Sequence, residues 1–143
     1  MNPSAPSDTS GARPLVRGLG ASAGIATGPV VFRPEDAVLH ASRGESVILV
    51  RIETSAEDVA GLRAAAGIVT TRGGLTADAA IVARSLGKPC IAGCSGLNVD
   101  YASDSASVFV EDANDVSMDR VTLKKGDIVT IDGSKGTLFA GRA

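Results

Sequence analysis

Arg72-Gly73-Gly74-Leu75-Thr76-Ala77-Asp78-Ala79-Ala80-Ile81-Val82-Ala83-Arg84, continuing through Gly87-Lys88-Pro89-Cys90, is the stretch whose reading decides the fold. Two glycines open directly onto a helix. Ala79, Ala80, Val82, Ala83 and Leu86 recur at a 3.6-residue period, and Thr76 stands where an N-cap is expected. Gly87 ends the helix and Pro89 forbids its continuation. Ile68-Val69-Thr70-Thr71 before the turn and Cys90-Ile91-Ala92-Gly93 after the helix read as strands.

Upstream, Val47-Ile48-Leu49-Val50 is a short β-branched run expected to form a buried strand. Thr54 or Ser55 then caps a predicted helix with Glu57 and Asp58 in its first turn. Val59, Leu62, Ala65 and Ala66 form its stripe and Gly67 its stop. Strand, helix, strand, helix, strand over 47–93 predicts a mostly parallel sheet with crossover helices. Gly28-Pro29 turns into a strand at Val30-Val31-Phe32, and another strand is expected around Val108-Phe109-Val110. The alternating runs around Asp132-Gly133, from Gly126 to Phe139, predict a closing hairpin. Residues 1–14, rich in Pro, Ser, Gly and Ala, read as a flexible tail, and residues 15–143 as one domain.

The 143 residues suffice for one domain that buries roughly two-thirds of its unfolded surface. Hydrophobic residues are 44% and aromatics 3%, so the core must be aliphatic. A net charge of -2 offers no attraction to nucleic acid or an anionic membrane. No apolar run approaches the ~20 residues that span a bilayer, and 1–13 lack the apolar core of a secretory signal. A cytoplasmic location is therefore expected. Cys90 and Cys94 read as small buried residues and His40 as a surface residue; no metal site is expected. Six carboxylates between Asp100 and Asp119 read as a solvated face.

The Gly73-Gly74 turn is the place with a physical case for an anion. Free backbone N–H groups converge there, the helix dipole adds positive potential, and glycine admits close approach. Arg72 and Arg84 are candidate guanidinium partners. The alternative is a tight strand-to-helix turn with no ligand.

These residues resemble the mobile phosphohistidine domain of the phosphoenolpyruvate (PEP)-utilising enzymes, most of all its pyruvate phosphate dikinase form. The resemblance runs from about residue 15 to 140. It includes Leu19-Gly20-Ala21-Ser22-Ala23-Gly24-Ile25-Ala26, the Val47–Arg51 strand with Glu53–Val59, and Lys125-Gly126-Asp127 with Ile131-Asp132-Gly133 and Gly136. It implies an α/β fold of three layers, β/β/α, that swivels between partner sites. It implies Arg72, Gly73, Gly74, Thr76 and Arg84 as ligand contacts, with Thr76 matching a regulatory phosphorylation site of plant dikinases.

In that family the position of Asp78 holds the histidine that carries the phosphoryl group. Ala77 is a second departure, since serine or cysteine is frequent there. An aspartate is anionic at neutral pH whereas imidazole is largely neutral, so Asp78 does not inherit the carrier chemistry. As a plain structural residue, it suits the first turn of a helix, where an acid meets the dipole favourably, or pairs with Arg72. The family's enzymes add an ATP-binding domain and a PEP-binding barrel, which 143 residues do not hold, and a carrier domain alone catalyses nothing. Three functions follow as expectations, none with a cofactor of its own. One is a stand-alone mobile-domain homologue, no longer a normal phosphocarrier, that docks on ATP-grasp kinase-like or PEP-binding barrel partners. The second is a repurposed small-molecule-binding protein or enzyme using Asp78 as acid or base in the former phosphate pocket. The third is a non-catalytic interaction module.

Overall fold

The computed structural model describes residues 13–55, 58–111 and 118–142. The chain runs β1 (Arg13–Arg17), β2 (Leu19–Ser22), β3 (Ile25–Val31), α1 (Pro34–Ser42), β4 (Ile48–Arg51), α2 (Val59–Ala64), β5 (Gly67–Thr70), α3 (Asp78–Leu86) and β6 (Cys90–Ala92). It continues with β7 (Asn98–Asp100), β8 (Ser105–Glu111), β9 (Met118–Lys124), β10 (Ile128–Asp132) and β11 (Thr137–Ala140). Eight strands form one sheet in the order β1-β11-β10-β3-β4-β5-β6-β2, and β7-β8-β9 form a second. The middle, β3-β4-β5-β6, is parallel as the strand–helix alternation predicts.

Side-chain alternation along these strands divides the core in two. Val31, Leu49, Ile68 and Cys90 face the helices, where they meet Ala37 of α1, Leu62 of α2, and Ala79, Ala80 and Ala83 of α3. Their neighbours Val30, Ile48, Val69 and Ile91 face the other way, onto Leu97 and onto Ala106, Val108 and Leu123 of the second sheet. Helices, sheet and facing strands make the three β/β/α layers that the resemblance implies.

Several boundaries differ from the sequence reading. Residues 13 and 14, assigned to the tail, begin β1 and pair with Ala140 and Phe139; the rest of the tail lies outside the described residues. Helix α1 was not anticipated, because its apolar Val38 and Leu39 point to solvent and only Ala37 is buried, so no stripe marks it. Helix α2 is shorter than predicted: it ends at Ala64, Ala65 is already extended, and the expected stop Gly67 starts β5. Neither Thr54 nor Ser55 caps it. Its N-cap is Asp58, and Glu57 lies outside the described residues.

Cys90 and Cys94 are buried and free as expected, but they face opposite sides of the sheet, whereas their spacing of four along one strand predicts a single face. Strand β6 stops at Ala92, and Gly93 turns the chain. His40 lies in the last turn of α1, half-buried at the surface, with Nδ1 3.1 Å from Glu45 Oε2. The final hairpin has a four-residue loop, 133–136, since Asp132 already pairs with Thr137. Part of the acidic stretch, 112–117, lies outside the described residues. Among the described residues no helix is long and apolar enough to cross a membrane.

Candidate functional site

The turn between β5 and α3 rests on the segment that follows β6. Cys94 N–H donates to Thr70 O at 2.9 Å, and a side chain at Gly93 would come within 2.8 Å of Gly73 O. Gly73 has φ +92, a region that L side chains rarely adopt, and a side chain there would also strike Ala77 Cβ at 2.8 Å. Gly74 is different. Its φ is not positive and a Cβ would have nothing within 4 Å, so it leaves open space over the turn.

Helix α3 starts one residue later than a Thr76 cap requires. The N-cap is Ala77, in extended conformation with φ -66 and ψ 156, and no side chain caps the helix. Thr76 is exposed in the turn before it, so its assignment as a cap is corrected. Asp78 is the first helical residue, exposed and in the first turn, where a carboxylate interacts favourably with the helix dipole.

The predicted cations take separate places. Arg84, in the last turn of α3, donates from Nη1 to Ala21 O at 3.1 Å and from Nη2 to Leu75 O at 2.5 Å. It thereby ties the helix to β2 and to the turn. Arg72 lines a depression of about 280 Å³ with Thr71, Ile52, Ser95 and Asn98. Asp78 lines a different one, of about 270 Å³, with Ser55, Val59, Leu62, Ile81 and Val82. Among the described residues no ion pair joins Asp78 to Arg72 or to any other cation. The predicted residues therefore gather about one turn and the helix that follows it, but they do not share one pocket.

A clamp on the preceding loop positions Ser55. Arg51 leaves β4 with Nη1 donating to Phe32 O at 2.9 Å, its guanidinium 4.5 Å from the Tyr101 ring centroid and Nε 3.8 Å from Asp58 Oδ2. Tyr101 Oη accepts from Ile52 N at 2.7 Å, and Asp58 Oδ2 accepts from Ser55 N at 3.0 Å. The loop thus reaches α3 with its backbone held at both ends.

The family model described as "PEP-utilising enzyme, mobile domain" matches residues 43–136. The chain belongs to this family. Curated relatives of this mobile domain include the pyruvate, phosphate dikinase of Rhizobium meliloti, 47% identical over 124 residues, which are 87% of this chain and 13% of that protein. The pyruvate, phosphate dikinase of Entamoeba histolytica is 47% identical over 128 residues, 90% of this chain and 13% of that one. Pyruvate, phosphate dikinase 2 of Zea mays is 46% identical over 141 residues, 99% of this chain and 14% of the other. This mobile domain thus spans a small fraction, 13–14%, of the length of those relatives. A solution structure of Enzyme I aligns over 68% of the chain and 31% of its own, at 26% identity and a TM-score of 0.44.

Sequence reasoning did not bring Ser55, Val59, Leu62, Ile81 and Val82 to the site. Leu62 and Val82 looked like ordinary core stripe. The available signal was Ile81, an isoleucine on the polar phase of α3, which the structure leaves 51% exposed beside Asp78.

Proposed function

We propose that this chain is a mobile domain that no longer carries a phosphoryl group as phosphohistidine, and that works beside ATP-binding and PEP-binding domains. One observation carries the reading: at the head of α3, in the family's own motif, the side chain facing the depression is the carboxylate of Asp78. A carboxylate at about 4 Å from a phosphate charge is repelled by on the order of 4 kcal/mol at an effective dielectric of 20. That is nearly a thousandfold, and the two nearest predicted cations do not offset it. Arg84 is engaged with backbone carbonyls, and Arg72 lines another depression. An imidazole at the same position meets no such repulsion and is itself the nucleophile.

The test mixes the chain with radiolabelled phosphoenolpyruvate, the PEP-binding domain of a pyruvate, phosphate dikinase and Mg²⁺. The expected result is no label on the chain, and acid-labile label on the Asp78→His variant. Label on the unaltered chain that disappears in Asp78→Asn would overturn the reading.

A second reading is favoured by the walls of the depression. Val59, Leu62, Ile81 and Val82 make it aliphatic, with Asp78 and Ser55 as its polar groups among the described residues. That composition suits a small molecule held by apolar contact and oriented by one charge, with Asp78 available as proton acceptor.

A further inference from the structure

We propose that the depression at the head of α3 binds a small organic ammonium compound with a compact aliphatic body, the ammonium on Asp78 and the body against Val59, Ile81 and Val82. The inference rests on the second reading above and names its ligand class.

Three observations converge on it. First, the walls come from two helices and are aliphatic, so a ligand of any affinity must bury apolar surface there. Ile81 is 51% exposed, so contact with it removes apolar area from water at a place where the fold itself does not. Second, among the described residues the one charged group lining the depression is Asp78, and among them it has no cation partner. An incoming ammonium therefore displaces no existing pair. An incoming carboxylate or phosphate meets repulsion from Asp78, and a neutral hydroxyl gains only an ordinary hydrogen bond. Third, at about 270 Å³ the space lies just below the usual range of ligand pockets, roughly 300–1,000 Å³, which selects a small compound over an extended one. Ser55, whose backbone N–H is held by Asp58, supplies a hydroxyl on the opposite wall for a second donor or acceptor of the ligand.

The experiment titrates the 15N-labelled chain with cyclohexylmethylamine, and separately with cyclohexylmethanol and cyclohexanecarboxylate, at pH 7. The expected result is amide shifts confined to Ser55, Asp78, Ile81, Val82 and their neighbours, with a Kd of about 1 mM for the amine, set by one exposed charge pair and partial burial. The alcohol and the carboxylate should bind at least tenfold more weakly. Asp78→Asn should weaken the amine about tenfold, whereas Asp78→Glu, which keeps the charge, should retain it. The unperturbed remainder of each variant's spectrum serves as the check on folding.

If the alcohol or the carboxylate binds in the groove as well as the amine, the ammonium assignment falls while a ligand site remains. If none of the three shifts these amides, both the inference and the small-molecule reading fall. If Nα-acetyl-lysinamide binds tighter than cyclohexylmethylamine, the groove receives a protein's lysine and the small-molecule proposal is overturned.

Discussion

Ala77 and Asp78 stand side by side at the head of α3, and neither side chain caps it. Ala77 has the extended backbone of an N-cap but no oxygen to offer, so Ala77→Ser should stabilise the protein by about 0.5–2 kcal/mol. A melting curve checks this, with a rise of about 2–8 °C expected for a domain of this size. The two cysteines set an alkaline limit. Burial pushes the Cys90 thiol up to about 12 and the Cys94 thiol up to about 11, from an ordinary 9.0, with Arg84 partly opposing the rise at Cys90. The folded chain therefore holds protons that the unfolded chain releases. Their contribution is full below pH 9 and is lost as pH rises towards 11 and 12. Urea midpoints should fall between pH 9 and 11, with a slope of up to about 1.4 kcal/mol per pH unit per thiol, and Cys90→Ala should lessen that slope. At this scale the sequence was informative about burial, since both cysteines sit among small apolar residues. It misplaced their faces, since a spacing of four puts both thiols on one face only along a continuous strand, and Gly93 turns the chain at φ +61.

Elements show where periodicity works and where it fails. Helix α3 was legible because three alanines on one stripe pack into the core and Gly87, at φ +67, closes its C-terminus in the left-handed conformation. Helix α2, of six residues, is held less by its own sequence than by its neighbours. Lys88 Nζ donates to the carbonyls of Arg63 and Ala65 at its end, and a side chain at Gly61 would meet Pro34 Cα of α1 at 2.6 Å. Gly61→Val should therefore force the two helices apart and cost about 1–3 kcal/mol in urea unfolding, although helix propensity alone favours valine over glycine. The loop that carries Ser55 depends on a side chain that periodicity treats as a helix residue. Asp58 is only 6% exposed, and its carboxylate serves Ser55 N–H and the Arg51 guanidinium together. Asp58→Ala leaves that partly buried cation without its counter-ion, for a loss of about 3 kcal/mol at most, the scale for breaking a more deeply buried pair. The Ser55 amide should exchange faster in the same variant. The contribution of this loop to the site was not readable in the sequence, because it arises from Tyr101, about fifty residues away, meeting Arg51 and Ile52.

For the molecule as a whole, the parallel centre was legible and the sheet edges were not. Strands β4, β5 and β6 follow one another in sequence and in space, whereas β1 pairs with β11 from the far end of the chain and β2 with β6. No local pattern encodes partners that distant. The two edge strands are nevertheless joined through a single residue, Gly18, so the sheet must curl until its margins almost meet. Gly18 N–H donates to Gly136 O at 2.7 Å, and a side chain there would strike Ala92 O and Ile91 Cγ2, both at 2.8 Å. Gly18→Val should pry the two margins apart, lower stability by several kcal/mol, and expose strand edges that drive aggregation on heating, measurable by light scattering.

The same first strand has a mechanical consequence. Arg13 lies opposite Ala140 on the β1–β11 ladder, so the described chain enters and leaves the body at one spot, with Cα atoms about 5 Å apart. Polypeptide attached on either side of such a body would moor it by a single narrow stem. The remaining surface, including the head of α3, would then be free to turn about that stem, as a weight turns on a cord.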